Sequence, residues 1–235
     1  MSYTQFTRTF DKNQEIFAQT WEKTGAKGIV VLVHGLGEHS GRYQHVADIF
    51  NQHEFSVIGF DLPGHGRSSG KRGHIPSYDK AITIIQYFLQ HVKERFLNLP
   101  VFLYGHSMGG SLVLYYGLTK KTDIAGIIAT APGLAVSKPL PVLKVLSGKI
   151  LSRLVPSFSM PNGLDLQGLS RDKTVIEKYI HDPLVTQSVS AALGMEIIEK
   201  GKWMLNQKRR FPTPLLLMQG TSDRVINPAA TQKFS

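Results

Sequence analysis

The chain has 235 residues, with 27 Lys or Arg against 17 Asp or Glu, a formal net charge of +10. That length can bury a sizeable core and fits one domain, or one domain with a large insertion, and 42% hydrophobic against 19% charged residues describes a globular chain rather than a disordered one. Cysteine is absent, which excludes disulfides, thiolate metal sites and a cysteine nucleophile together.

The opening Met1-Ser2-Tyr3-Thr4-Gln5 has no charged segment leading into an apolar one, and no apolar stretch reaches the roughly 18 residues of a membrane span. Neither a signal peptide nor a span is expected, and a cytoplasmic location is the default. The basic excess favours anionic surfaces. Without a nucleic-acid-binding motif or interleaved aromatics it reads as general or lipid-directed, so no nucleic-acid partner is expected.

Short aliphatic or β-branched runs bounded by Gly or Pro predict buried parallel strands at Gly28–Val33, 56–60, 101–104, 124–129 and Leu215–Met218. Helical patterns fall between them at 43–52, Tyr78–Arg95 and 108–120. Strand, helix and strand in repetition give an α/β fold with a mostly parallel central sheet flanked by helices. From about residue 132 to residue 212 the order breaks: the sequence is helical and Pro-punctuated, with no strand-like run. The expected organisation is therefore a core first part at 1–131, a helical cap insertion at 132–212 and an incomplete core second part at 213–235. The cap should cover the C-terminal edge of the sheet, where α/β ligand sites lie.

Gly105-His106-Ser107-Met108-Gly109 sits between the strand at 101–104 and the helix at 108–120, the setting of a nucleophile elbow. Its small residues let the backbone turn tightly enough to hold Ser107 strained, with its hydroxyl exposed above the sheet and close to a helix N-terminus. Two glycine loops, 35–41 and 64–70, follow the first two strands, but each has one residue too many before its last glycine for a dinucleotide fingerprint, and a Walker lysine is missing. They are expected to be tight turns with positive φ. In the first loop, His34-Gly35-Leu36-Gly37 can aim the Leu36 N–H into the space above the serine, where it and the Met108 N–H would form a two-donor oxyanion hole. Asp223, just past the strand Leu215–Met218, stands at the same sheet edge and suits the acid of a triad, while Asp165, Asp172 and Asp182 fall in the insertion and are poorly placed for it.

Leu143, Leu146, Ile150 and Leu154 recur at helical spacing within 140–156, with Lys144 to one side and Lys149 and Arg153 to the other. Such a helix could lie in a lipid headgroup layer or pack its apolar side on the domain below, and the pattern leaves both open.

His34-Gly35-Leu36-Gly37-Glu38-His39-Ser40-Gly41-Arg42-Tyr43, Asp61-Leu62-Pro63-Gly64-His65-Gly66-Arg67-Ser68 and the elbow resemble the monoacylglycerol lipase group of α/β-hydrolases. Leu169-Ser170-Arg171-Asp172-Lys173 and His181-Asp182-Pro183-Leu184 are similar to that family's cap, and Gly220-Thr221-Ser222-Asp223-Arg224 to its acid loop. The resemblance implies an α/β-hydrolase fold and hydrolysis of the ester of a glycerol carrying one acyl chain, with lysophospholipids as near neighbours. It implies Ser107 as nucleophile, Asp223 as acid, and Leu36 and Met108 as oxyanion donors, with Glu38, Arg42, His106 and Tyr179 lining the polar end of the pocket. No cofactor and no metal are expected. The partners are a lipid or small-molecule ester and, through the cap, peripheral contact with a membrane surface.

One departure stands out. In this fold the general-base histidine follows the acid, yet residues 224–235 contain none and all nine histidines precede Asp223. His34 belongs to the oxyanion loop, and His106, preceding the serine, should point away from its hydroxyl. The expectation is a C-terminally shortened hydrolase, inactive by itself. The alternatives are a lysophospholipase or another carboxylesterase or thioesterase and, in another class, a non-catalytic lipid-binding relative.

Overall fold

The computed structural model describes residues 2–10, 13–121, 123–138 and 141–235. The chain opens with strands β1 (Ser2–Phe10) and β2 (Gln14–Glu22). Then come β3 (Gly28–Val33), helix α1 (Gln44–Gln52), β4 (Phe55–Phe60), α2 (Tyr78–Arg95), β5 (Val101–His106), α3 (Met108–Thr119) and β6 (Gly126–Thr130). The cap follows with α4 (Val142–Leu154), β7 (Ser159–Pro161), α5 (Lys173–Ile180), β8 (Ser188–Ser190) and α6 (Ala191–Leu205), before β9 (Leu215–Met218) and α7 (Pro228–Phe234) return to the core.

Seven strands form one sheet in the order β1-β2-β4-β3-β5-β6-β9. β4, β3, β5, β6 and β9 are mutually parallel, while β2 is antiparallel to both β1 and β4. This is the α/β architecture that the alternating pattern predicts. β3 shows why its run is continuously apolar: Ile29, Val31 and Val33 pack on one face with α2 and α3, while Val30 and Leu32 pack on the other with Trp21, Tyr43 and Ala47. A strand buried on both faces has no polar alternation to show. α3 is likewise apolar all round and buried along nearly its whole length, as a helix wedged between a sheet and other helices must be.

Three expectations are corrected. The hairpin β1–β2 went unseen because β1 is largely exposed and polar, so its pairing, Ser2 with Glu22 through Phe10 with Gln14, leaves little hydrophobic pattern. The insertion is not strand-free, for β7 and β8 pair antiparallel; three residues each are too few for a period to register. Bounds also move: β6 begins at Gly126 rather than 124, and Tyr43 closes a short 3-10 turn, Ser40–Tyr43, ahead of α1. Leu140, where the pattern starts the cap helix, lies outside the described residues.

Candidate active site

β5 ends at His106 and α3 begins at Met108, leaving Ser107 alone to reverse the chain at φ 54° and ψ −118°. A non-glycine residue held there costs on the order of 1–3 kcal/mol and persists only where its surroundings impose it. They do: Ser107 N donates to Thr130 O at 3.0 Å, and Ser107 O accepts from Ser111 N and Gly133 N. Both flanking glycines are sterically required. A Cβ on Gly109 would drive into the carbonyl oxygens of Val33 and His34, and one on Gly105 into that of Gly109.

The loop after β3 lies against this elbow, so close that a Cβ on Gly35 would stand 3.2 Å from Ser107 Cβ. Leu36, Ser107 and Met108 line one cavity of about 290 Å³ whose walls include Val145, Met160, Val189, Met195 and Ile198 from the cap. Met108 is the first residue of α3, so its N–H has no intrahelical acceptor. The Leu36 N–H has no partner among the described residues either. An apolar cavity with a strained serine and two unengaged backbone donors can hold an acyl chain and receive a developing oxyanion.

Asp223 follows β9. Its Oδ1 accepts from Val225 N at 2.8 Å and Ile226 N at 2.9 Å, and its Oδ2 from Gln219 Nε2 at 2.9 Å. Gln219 is itself oriented by Thr231, whose hydroxyl donates to Oε1. Arg224, Val225 and Ile226 line the cavity, and Asp223 does not.

Among the described residues no histidine bonds Ser107 or Asp223. His34 is buried, its Nε2 accepting from Leu62 N at 2.9 Å and its Nδ1 donating to Gly35 O at 2.7 Å. His65 donates to Pro63 O, His39 meets Asp182, His74 meets Ser190, His106 meets Thr130 and His181 meets Glu177 O. His91 stacks on Tyr87, and His45 and His53 are exposed. Burial pulls His65 down to about 3 and lowers His34 as well. Both are held neutral in the fold while the unfolded chain takes up protons below 6.5. Stability should therefore fall on acidification from pH 6.5 toward 3, by about 1.4 kcal/mol per pH unit for His65, with His34 adding to the loss in the same direction. Chemical denaturation of the wild type and of His65→Gln at pH 7 and pH 4.5 would show it as a smaller pH loss in the variant.

Glu38, Arg42, His106 and Tyr179 are brought together, but beside the Leu36 loop rather than in the cavity lining. Glu38 Oε1 accepts from Gly35 N at 2.7 Å and Tyr43 Oη at 2.6 Å. Burial opposes the Glu38 charge, yet nearby His106 and these hydrogen bonds outweigh it and keep the carboxyl below its ordinary range. Arg42 lies 3.4 Å from Glu38 Oε2 and 4.8 Å from the Tyr179 ring centroid. Tyr179 Oη is buried without a hydrogen-bond partner, and burial, then Glu38, pushes its pKa up to about 12. It faces Gly37, as does Asn162, which lines the cavity.

The second glycine loop has a structural use that the sequence did not disclose. Buried Asp61 accepts from Ser40 N and Oγ through Oδ1 and from Arg67 N through Oδ2, tying the two loops together. Gly37, Gly64, Gly66 and Gly70 have positive φ, as turns there require. An aspartate closing a predicted strand just before Leu-Pro-Gly-His-Gly was the available signal.

A family model described as Hydrolase_4, serine aminopeptidase S33, matches residues 24–235. A monoglyceride lipase of Rattus norvegicus is 31% identical over 217 residues, which are 91% of this chain and 71% of that protein. An uncharacterised abhydrolase domain-containing protein of Dictyostelium discoideum is 36% identical across 96% of this chain, which spans only 24% of its length. Among solved structures, the monoacylglycerol lipase of Paleococcus ferrophilus superposes with a TM-score of 0.85 at 38% identity, covering 93% of this chain and 82% of that one.

Proposed function

We infer that the chain, which belongs to the Hydrolase_4 family described as serine aminopeptidase S33, is a serine esterase acting on acylglycerols that carry one acyl chain. The observation that carries this is Ser107, held at φ 54° in the wall of an apolar cavity that it shares with Leu36 and Met108. Ser107 Oγ attacks the ester carbonyl while a histidine oriented by Asp223 takes its proton. The N–H groups of Leu36 and Met108 hold the oxyanion, the glycerol leaves with that proton, and water then hydrolyses the acyl-enzyme. Among the described residues no histidine bonds Ser107 or Asp223, so this mechanism needs a base that the described fold does not place against the serine.

Treating the full-length protein with a fluorophosphonate and mapping the adduct tests this reading. Ser107 should carry the label. An adduct on Ser40 or Ser68 would move the nucleophile, and no adduct at all would favour a lipid-binding relative without catalysis.

The cap helix supports delivery from a lipid surface. Leu143, Leu146, Ile150 and Leu154 are 76%, 53%, 52% and 74% exposed, so the apolar stripe faces outward. It is Val145 and Gly148 that turn inward, toward the cavity and Met195. No helix among the described residues is long and apolar enough to cross a membrane. Replacing Lys149 and Arg153 by Glu should weaken binding to anionic vesicles more than it slows hydrolysis of a soluble short-chain ester. Equal losses in both assays would make the helix a lid alone.

A further inference from the structure

Asp182 lies in the cap, two residues after α5, and its carboxylate is divided between two tasks. Oδ1 accepts from Leu184 N at 2.9 Å, fixing the side chain in a turn of its own. Oδ2 is thereby presented to the core, where His39 Nε2 stands 2.9 Å away and Arg42 Nη1 3.8 Å away. The pair is largely screened from water, with side-chain exposures of 10% for His39 and 19% for Asp182. His39 Nδ1 accepts from Gly41 N, so its proton sits on Nε2 and is donated to Asp182.

The same cap segment reaches the same loop at a further point. Thr186 N donates to Gly37 O at 2.7 Å, and Gly37, at φ 76°, comes so near that a Cβ would collide with Thr186 O. Within the loop Glu38 accepts from Gly35 N, and the core holds the loop at Ser40, whose N–H and hydroxyl donate to Asp61 Oδ1. Leu36 therefore sits between the end of β3 and the Ser40 anchor, in a stretch that the cap fastens at Gly37 and His39. A backbone donor stabilises an oxyanion only if it is already aimed when charge develops. A stretch released at Gly37 and His39 loses that aim.

We propose that Asp182 is a positioning residue: with Thr186, and through His39, it makes the aim of the Leu36 N–H depend on the seating of the cap, so that the oxyanion hole is complete only when the cap is closed. This rests on Leu36 being an oxyanion donor. It gives the cap a catalytic consequence at a point remote from the outward-facing helix α4. Of the charged groups around the contact, Arg42 lies against both Glu38 and Asp182, and Arg72 of the core donates through Nη2 to Leu184 O, two residues beyond Asp182.

The test uses the full-length protein with Asp182→Ala, His39→Leu and His39→Gln, the last keeping an N–H near the position of Nε2. For Asp182→Ala and His39→Leu, kcat on a soluble short-chain ester should fall by about 10- to 100-fold, short of the 10² to 10³ for outright loss of an oxyanion donor, while KM moves by no more than about twofold. His39→Gln should restore kcat to within about threefold of wild type. Hydrogen–deuterium exchange of peptides spanning residues 35–43 should accelerate in the two disrupted variants and not in His39→Gln. Unchanged exchange there in a folded Asp182→Ala protein overturns the proposal, as does a kcat equal to wild type. If the wild-type protein hydrolyses nothing, the esterase reading fails, and the exchange measurement still decides whether the cap fastens the loop.

Discussion

Purified residues 1–235 should hydrolyse a monoacylglycerol about 10⁶-fold more slowly than the same chain provided with a histidine against Ser107, the factor by which loss of the base slows subtilisin. The reason is local. A serine hydroxyl is a neutral and weak nucleophile until a base accepts its proton, and each histidine in reach of the elbow is committed. His34 has both ring nitrogens engaged, at Leu62 and Gly35, and burial keeps it neutral. His106 is turned to Thr130, 2.9 Å away. Assaying 1–235 beside the product of the full reading frame decides it. Ordinary enzymatic turnover by 1–235 would show that one of these histidines, or one brought by a second molecule, serves as base.

Asp223→Asn in the full-length protein should lower kcat by about 10⁴ while leaving the fold intact, the size seen when a triad aspartate becomes an amide and the histidine takes the wrong tautomer. The fold survives because the amide oxygen can still accept from Val225 N and Ile226 N, as Oδ1 does now. The Oδ2 position would instead present an NH₂ to Gln219 Nε2, which Thr231 holds in its present orientation. That mismatch is confined to one partly buried contact. Unfolding curves and kcat measured on the same preparation separate the two effects. A variant with near-normal turnover would place the acid elsewhere.

The parallel strands and the elbow were legible because their causes lie within a few residues. Burial on both faces writes β3 and β5 as unbroken apolar runs. The steric limit that forces glycine at 105 and 109 writes the motif around Ser107. The start of α7 is equally local: Pro228 opens it and the Asn227 side chain caps it by accepting from Ala229 N.

What stayed hidden depends on partners far along the chain. Asp182 is poorly placed for a triad acid, and its bond to His39 spans 143 residues. Sequence spacing carries no trace of such a pair. Glu38, Arg42, His106 and Tyr179 are gathered by resemblance, but only folding decided that they stand outside the cavity lining. The direction of the stripe on α4 was equally undetermined, because a periodicity of 3.6 fixes which residues share a face and not which way that face turns. Packing of Gly148 against Met195 settled it by spending the opposite side of the helix on the cap. The sequence by itself thus determined the strand-helix alternation and the strained turn at Ser107, since these are consequences of local sterics and burial. Tertiary structure alone decided what the cap touches, because contacts between segments more than a hundred residues apart are fixed by the packing of whole elements.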